Sequence, residues 1–195
     1  MSAASRPDAR DGVSDEQLVA ALRRGELAAF DRLYRRYHVR LFGYVRRYVK
    51  DRALAEDLFQ DVLLTVLRDR TYDPARGRFA PWLFRVARNR CLQEDRMRAV
   101  RTRRAALAET SASTRPASTN PEQALARADH VKTAMSGLTE AHRQVLVLKQ
   151  VAELTYAEIA TLLGIAEGTV KSRVHAATKS LRARLLELQE RERPA

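Results

Sequence analysis

The chain has 195 residues, 45% of them hydrophobic, and a formal net charge of +12, so it can bury the core of one ordinary domain or two small ones. The lone Cys91 excludes an internal disulfide and a Cys-x-x-Cys zinc site, and the longest strongly apolar run, "VLLTVL" at 62–67, is far too short to span a membrane. A positive excess of this size points to a polyanionic partner, nucleic acid before others.

The polar start, "MSAASRPDARDG", has no apolar centre and does not resemble a signal peptide, so a cytoplasmic protein is expected. With only 7 Gly, few β-branched residues and an abundance of Ala, Leu, Arg and Glu, the composition predicts an all-α fold. His38, His130, His142 and His175 are scattered without ligand spacing, so neither a metal nor another cofactor is expected.

Residues 1–13 are polar and predict a disordered tail. Ser14 then opens a helix over about 15–24: "SDEQ" has the form of a capping box, with two acids in the first turn where the helix dipole favours them. A second helix carries Phe30, Leu33, Tyr34, Tyr37, Leu41, Tyr44, Val45 and Tyr48 at three- and four-residue steps, a single apolar stripe. Asp51 caps a third helix running to about Asp69, with Leu54, Leu58, Val62, Leu63, Val66 and Leu67 inward and Glu56, Asp57, Gln60 and Asp61 on its other face. An acidic face stands out in so basic a chain, although by itself such a face is more often simply a solvated surface.

"TYDPARGRFAP", 71–81, is a loop, and Pro81 suits the first turn of a further helix. That helix turns Leu83, Val86, Ala87 and Cys91 inward, with Arg85, Arg88, Arg90, Arg96 and Arg98 mainly outward. Trp82 fits either the core or an exposed stacking position. The Ser-, Thr-, Ala- and Arg-rich stretch 101–119 reads as a flexible tether, helical in part at its start, between two helical domains. Beyond it, Asn120 before Pro121 predicts a helix start, Gly137 a C-terminal cap, and Thr139 a new start for a helix with Val145, Leu146, Leu148 and Val151 inward.

"TYAE" at 155–158 is a second capping box, opening the short helix "YAEIATLL" that stops at Gly164. Ala160 is small enough for a second helix to pack on it, Gly164 tolerates the left-handed backbone of a sharp turn, and Ile165 and Val170 pin the second helix onto the core. This is a helix-turn-helix pattern. The second helix has an inward stripe of Val170, Val174, Ala177, Leu181, Leu185 and Leu188, and opposite it Lys171, Ser172, His175 and Lys179, with Arg173 on the flank. Early positions of such a helix face base edges, which makes Lys171, Ser172, Arg173 and His175 candidates for base contact; Lys179 and Arg182 suit phosphates or solvent.

Taken together, "AAFDRLYRRYHVRLFGYVRRYV", "AEDLFQDVLL", "FAPWLFRVARNRCLQEDRMR" and "LTYAEIATLLGIAEGTVKSRVHAATKSLRARL" resemble, in order, the extracytoplasmic-function sigma factors, the small bacterial RNA polymerase sigma-70 subunits. The resemblance covers roughly 15–187 and implies sigma region 2 at 14–99, a linker at 100–119, region 4 at 120–188 and a tail at 189–195. It implies that the acidic helix docks on the clamp helices of the polymerase β′ subunit through Asp57, Gln60 and Asp61, with Leu58 or Phe59 packing beside them. It implies that Arg76, Arg78, Arg85, Arg88, Asn89 and Arg90 meet the promoter -10 element, where an exposed strand must be held, and that Trp82 is a packing residue. Thr169, Lys171, Ser172, Arg173, His175 and Lys179 would meet the -35 element. Core polymerase, promoter DNA and an anti-sigma factor are the implied partners, with no small-molecule substrate and no chemistry of its own. The sequence departs from many relatives at Ala166-Glu167, where Ser or Pro often stands; a carboxylate there would repel phosphate unless it points away.

Two other classes are weighed beside this one. An autonomous dimeric helix-turn-helix regulator would account for 139–187 but not for the acidic face at 56–61. A nucleic-acid-processing enzyme would need a carboxylate or nucleophile constellation, and the acids at 56–61 lie along one helix with no histidine placed beside them.

Overall fold

The computed structural model describes residues 12–49, 51–68, 71–108, 131 and 133–191. Most of the expected N-terminal tail, the Asn120–Pro121 helix start and residues 109–119 of the expected tether lie outside the described residues. The structured parts belong to two compact units, Met1–Asp95 with Val151–Leu154, and Arg96–Gln150 with Thr155–Ala195.

In the first unit, α1 (Asp15–Arg23) begins with the expected capping box: the Gln17 amide donates to Ser14 Oγ at 3.2 Å and the Ser14 amide to Gln17 Oε1 at 2.8 Å. Helix α2 (Leu27–Tyr48) starts a turn earlier than its first aromatic, Phe30. Its buried stripe is Ala29, Leu33, Tyr37, Leu41, Tyr44 and Val45. Tyr34 departs from the expected stripe; at 37% exposure it lies on the margin, stacked on His38. Helix α3 (Arg52–Arg68) is capped by Asp51, whose Oδ1 accepts from the Leu54 amide at 3.2 Å. Ala55, Leu58, Val62 and Val66 are buried, whereas Leu67, expected inward, is 40% exposed. It sits about 100° around the helix from Val66 and beyond the reach of the neighbouring face.

The connection from α3 is held at Tyr72. Its buried ring lies 5.5 Å from both Phe79 and Trp82, its hydroxyl donates to the Gly77 carbonyl at 3.1 Å, and its own carbonyl accepts from Arg23 of α1. Asp73 then caps the 3₁₀ turn Pro74–Arg76. Helix α4 (Phe79–Ala108) has Pro81 in its first turn and buries Phe79, Trp82, Leu83, Phe84, Ala87 and Cys91. Trp82 is thus core. Burial pushes the Cys91 thiol up to about 12, the behaviour of a packing residue. The helix continues into the stretch 101–119 as far as Ala108.

In the second unit, the helix before Gly137 ends there as expected, although Gly137 does not have a positive φ. The exposed carbonyls are satisfied by Arg143 from the next helix, whose guanidinium donates to Met135, Ser136 and Leu138 at 3.2, 3.3 and 3.0 Å. A side chain at 137 would meet only the tip of the exposed Arg184 side chain, which can swing aside. Helix α5 (Glu140–Gln150) is capped by Thr139 and buries Val145, Leu146, Val147 and Leu148, ending before Val151. Helix α6 (Tyr156–Leu163) has its expected capping box, Glu158 amide to Thr155 Oγ1 at 3.2 Å and Thr155 amide to Glu158 Oε2 at 2.8 Å. Helix α7 (Glu167–Arg191) packs against both α5 and α6.

Gly164 turns the chain between α6 and α7 at φ 68° and ψ 36°, with its amide and that of Ile165 directed to the Ala160 carbonyl. Nothing lies within 4 Å of where a Cβ would stand, so the cost of a side chain there is backbone strain alone. Gly164→Ala is expected to destabilise the protein by about 1–2 kcal/mol in urea denaturation; an unchanged midpoint would show that the turn relaxes without cost.

Candidate nucleic-acid interface

The basic face of α7 is built by the burial of its opposite side. Val170 and Ala177 are fully buried and Val174 nearly so, and Ala177 joins Leu138 and Leu146 in a core extended by Met135 and Leu181. With those positions turned inward, Lys171, Ser172, His175 and Lys179 are exposed together at three- and four-residue spacing. Arg173 and Thr169 are half-buried at the margins. Ser172 Oγ donates to the Thr169 carbonyl at 3.0 Å and keeps its lone pairs for a donor. Lys171 is engaged twice. Its Nζ lies 2.8 Å from Glu167 Oε1 and 6.0 Å from the centre of the Tyr156 ring, and the hydrogen bond with Glu167 holds the ammonium above the ordinary lysine value. Tyr156, which the sequence does not single out, also has Lys149 at 4.8 Å from its ring centre.

On α4, Arg85 and Asn89 are exposed one turn apart and share a face. The other four candidates lie elsewhere. Arg76 is exposed on the 3₁₀ turn with Asp73 at 3.4 Å, and Arg78 is half-buried beside the helix start. Arg88 does not point mainly outward as expected; it is half-buried, with its Nε enclosed and without a hydrogen-bond partner among the described residues. Helical periodicity places it one position from the buried Ala87 and three from the buried Cys91. Arg90 faces α3, where it lines a cleft of about 290 Å³ with Asp61, Leu64, Thr65 and Arg68.

On α3, Asp57, Gln60 and Asp61 are exposed along one side, and Glu56 pairs with Arg52 at 2.8 Å. Leu58 must be corrected as a partner contact: it is 6% exposed and belongs to the core stripe that seats α3. Phe59 is half-buried, edge-on to Phe42 at 5.6 Å and to Tyr34 at 6.4 Å. An aromatic margin from two helices therefore borders the acidic face, a feature invisible until α2 and α3 are set side by side.

Among the described residues there is no cluster of three His, Cys, Asp or Glu able to hold a metal, and no helix is long and apolar enough to cross a membrane. The fold defines an all-helical protein of two compact units, with exposed acids along α3 and, on α7, a basic face of the kind that suits nucleic acid. The comparisons with known proteins agree. The family model for Sigma-70 region 2 matches residues 33–104, and that for Sigma-70, region 4 matches residues 129–181. The RNA polymerase sigma factor CarQ of Myxococcus xanthus is 36% identical over 171 residues, covering 86% of this chain and 95% of CarQ. The ECF RNA polymerase sigma factor SigL of Mycobacterium tuberculosis is 37% identical over 171 residues, covering 84% and 92%. Among solved structures, the sigma factor RpoE in complex with the anti-sigma factor NepR from Bartonella quintana is similar at a TM-score of 0.57 and 26% identity, over 78% of this chain and 91% of that one. CnrH, in complex with the cytosolic domain of CnrY, shares the fold at a TM-score of 0.64 and 24% identity, over 92% and 99%. The chain belongs to the extracytoplasmic-function group of the sigma-70 family, whose work is promoter-directed initiation of transcription.

Proposed function

We propose that this chain is a dissociable promoter-specificity subunit that divides its contacts between its two domains. The acidic side of α3, Asp57, Gln60 and Asp61 with Phe59 beside them, docks on the β′ clamp helices of core polymerase. Arg85 and Asn89 of α4, with Arg76 and Arg78 before them, hold the -10 element and its opened strand. Ser172, Arg173 and His175 read the -35 element in the major groove, with Lys179 on a phosphate. Bond making belongs to the polymerase, and the subunit catalyses nothing itself.

The observation that carries this reading is the segregation of charge. A chain of net charge +12 groups exposed Glu56, Asp57 and Asp61 on α3, while α7 exposes Lys171, His175 and Lys179 with Glu167 as the one acid of its first turns. Charge complementarity of this kind selects partner and register. It suits a protein partner on the first surface and phosphate on the second. The solved complex of the relative RpoE with an anti-sigma factor supports regulation by a partner of that kind.

Run-off transcription with core polymerase over a genomic fragment library tests the reading, because start sites with shared -10 and -35 elements should emerge only when the protein is added. Tight specific DNA binding by the free protein, unaffected by polymerase, would overturn it. Arg173→Ala is expected to weaken use of promoters carrying the -35 element by about 1–3 kcal/mol if the guanidinium holds a base edge. Equal activity would remove Arg173 from the set.

A further inference from the structure

Glu167 is the one acid between Glu158 and Glu187, and it stands in the first turn of α7. In a helix-turn-helix this end of the second helix enters the groove, where a carboxylate meets phosphate and base edges rather than cations. Its Oε1 takes the Lys171 ammonium at 2.8 Å, and the Lys171 Nζ lies 6.0 Å from the Tyr156 ring centre at the start of α6. Both partners are about half exposed, at 45% and 57% of their side chains, and so exposed a pair adds little to folding stability. Its effect falls instead on how many cations α7 can present to DNA. Non-specific affinity scales with the number of phosphates neutralised, each contributing about 0.9 to the slope of log affinity against log salt. A lysine tied to a carboxylate at the mouth of the groove is subtracted from that count.

We propose that Glu167 is a specificity-determining residue that withholds Lys171 from DNA phosphates and so weakens the non-specific hold of α7. The residues that read bases are left as they are. Non-specific sites outnumber specific ones in a genome, so lowering the background hold raises selectivity with no added base contact. The inference rests on the proposed reading of α7 as the groove-entering helix.

The test is binding of the full chain to a random-sequence duplex over a range of salt, by fluorescence anisotropy, with E167Q, K171A and the double variant. E167Q is expected to bind about three- to tenfold more tightly at low salt, with a slope steeper by about 0.9. K171A alone should keep the wild-type slope, and the double variant should lose the gain. Three results would overturn the proposal. E167Q could leave affinity and slope unchanged. K171A alone could flatten the slope, showing that Lys171 already meets phosphate. Or the E167Q gain could persist without Lys171, showing plain repulsion. Failure of the groove reading itself looks different: R173A and K179A would then also bind like wild type.

Discussion

Asp15→Ala is expected to lower the unfolding free energy by about 3–5 kcal/mol. Asp15 is the one buried charged residue among the described residues, at 8% exposure. Its Oδ1 lies 2.7 Å from Arg36 Nη1, and its Oδ2 accepts from the Tyr37 hydroxyl. The Arg36 side chain is itself only 10% exposed, and its Nη2 donates to the Val13 carbonyl at 2.8 Å. The pair therefore fastens the start of α1 to the middle of α2. Removing the carboxylate strands a buried guanidinium in a poorly solvated place, which costs far more than the pair contributes over an apolar substitute. Asp15→Asn keeps the shape, and its Oδ1 can still accept from Arg36 while its Nδ2 donates to the Tyr37 hydroxyl, so it should cost less than Asp15→Ala, the loss being the charge opposite Arg36. The measurement is urea denaturation, read as a fall in midpoint at unchanged slope. A loss below about 1 kcal/mol would place the contact with ordinary surface pairs.

This anchor shows where the sequence was legible and where it was not. The capping boxes at Ser14 and Thr155 could be seen because their partners stand three residues apart, and Gly164 because the left-handed turn it makes is local. Asp15 read only as a first-turn acid; its burial depends on Arg36 and Tyr37, which become neighbours once α1 folds onto α2. Gly137 marks the helix end correctly, but the groups that satisfy its carbonyls come from Arg143 of the following helix and were hidden for the same reason. On the surfaces, periodicity separated the exposed acids of α3 from its core stripe, and the inward Val170, Val174 and Ala177 fixed the outward side of α7. The roles of individual arginines were less accessible. Arg85, Arg88 and Arg90 look alike in sequence, yet one is exposed, one has an enclosed Nε and one faces a cleft with Asp61. Which of them meets solvent is decided by the packing of α4 against its neighbours.

Reversing the charge at Asp57 and Asp61 together, Asp57→Lys with Asp61→Lys, is expected to weaken binding to core polymerase by about a hundredfold or more, on the order of 3 kcal/mol. Both side chains are exposed, and among the described residues neither carries a salt bridge. Asp61 lines the cleft that holds Arg68 and Arg90, so urea denaturation should find a loss of about 1 kcal/mol or less from the added cation. The effect should shrink as salt is raised, because attraction between exposed charges is screened within about 10 Å at 0.1 M ionic strength. A second measurement guards against a trivial loss of function. Each substitution adds two positive charges, so the pair raises the net charge from +12 to +16. A random-sequence duplex should therefore be bound at least as tightly as by the wild type, while polymerase is bound less. Opposite changes toward the two partners cannot come from unfolding, which would weaken both. Unchanged co-purification with core enzyme would remove the acidic side of α3 from the docking surface. The segregated charge of this chain would then need another partner to explain it.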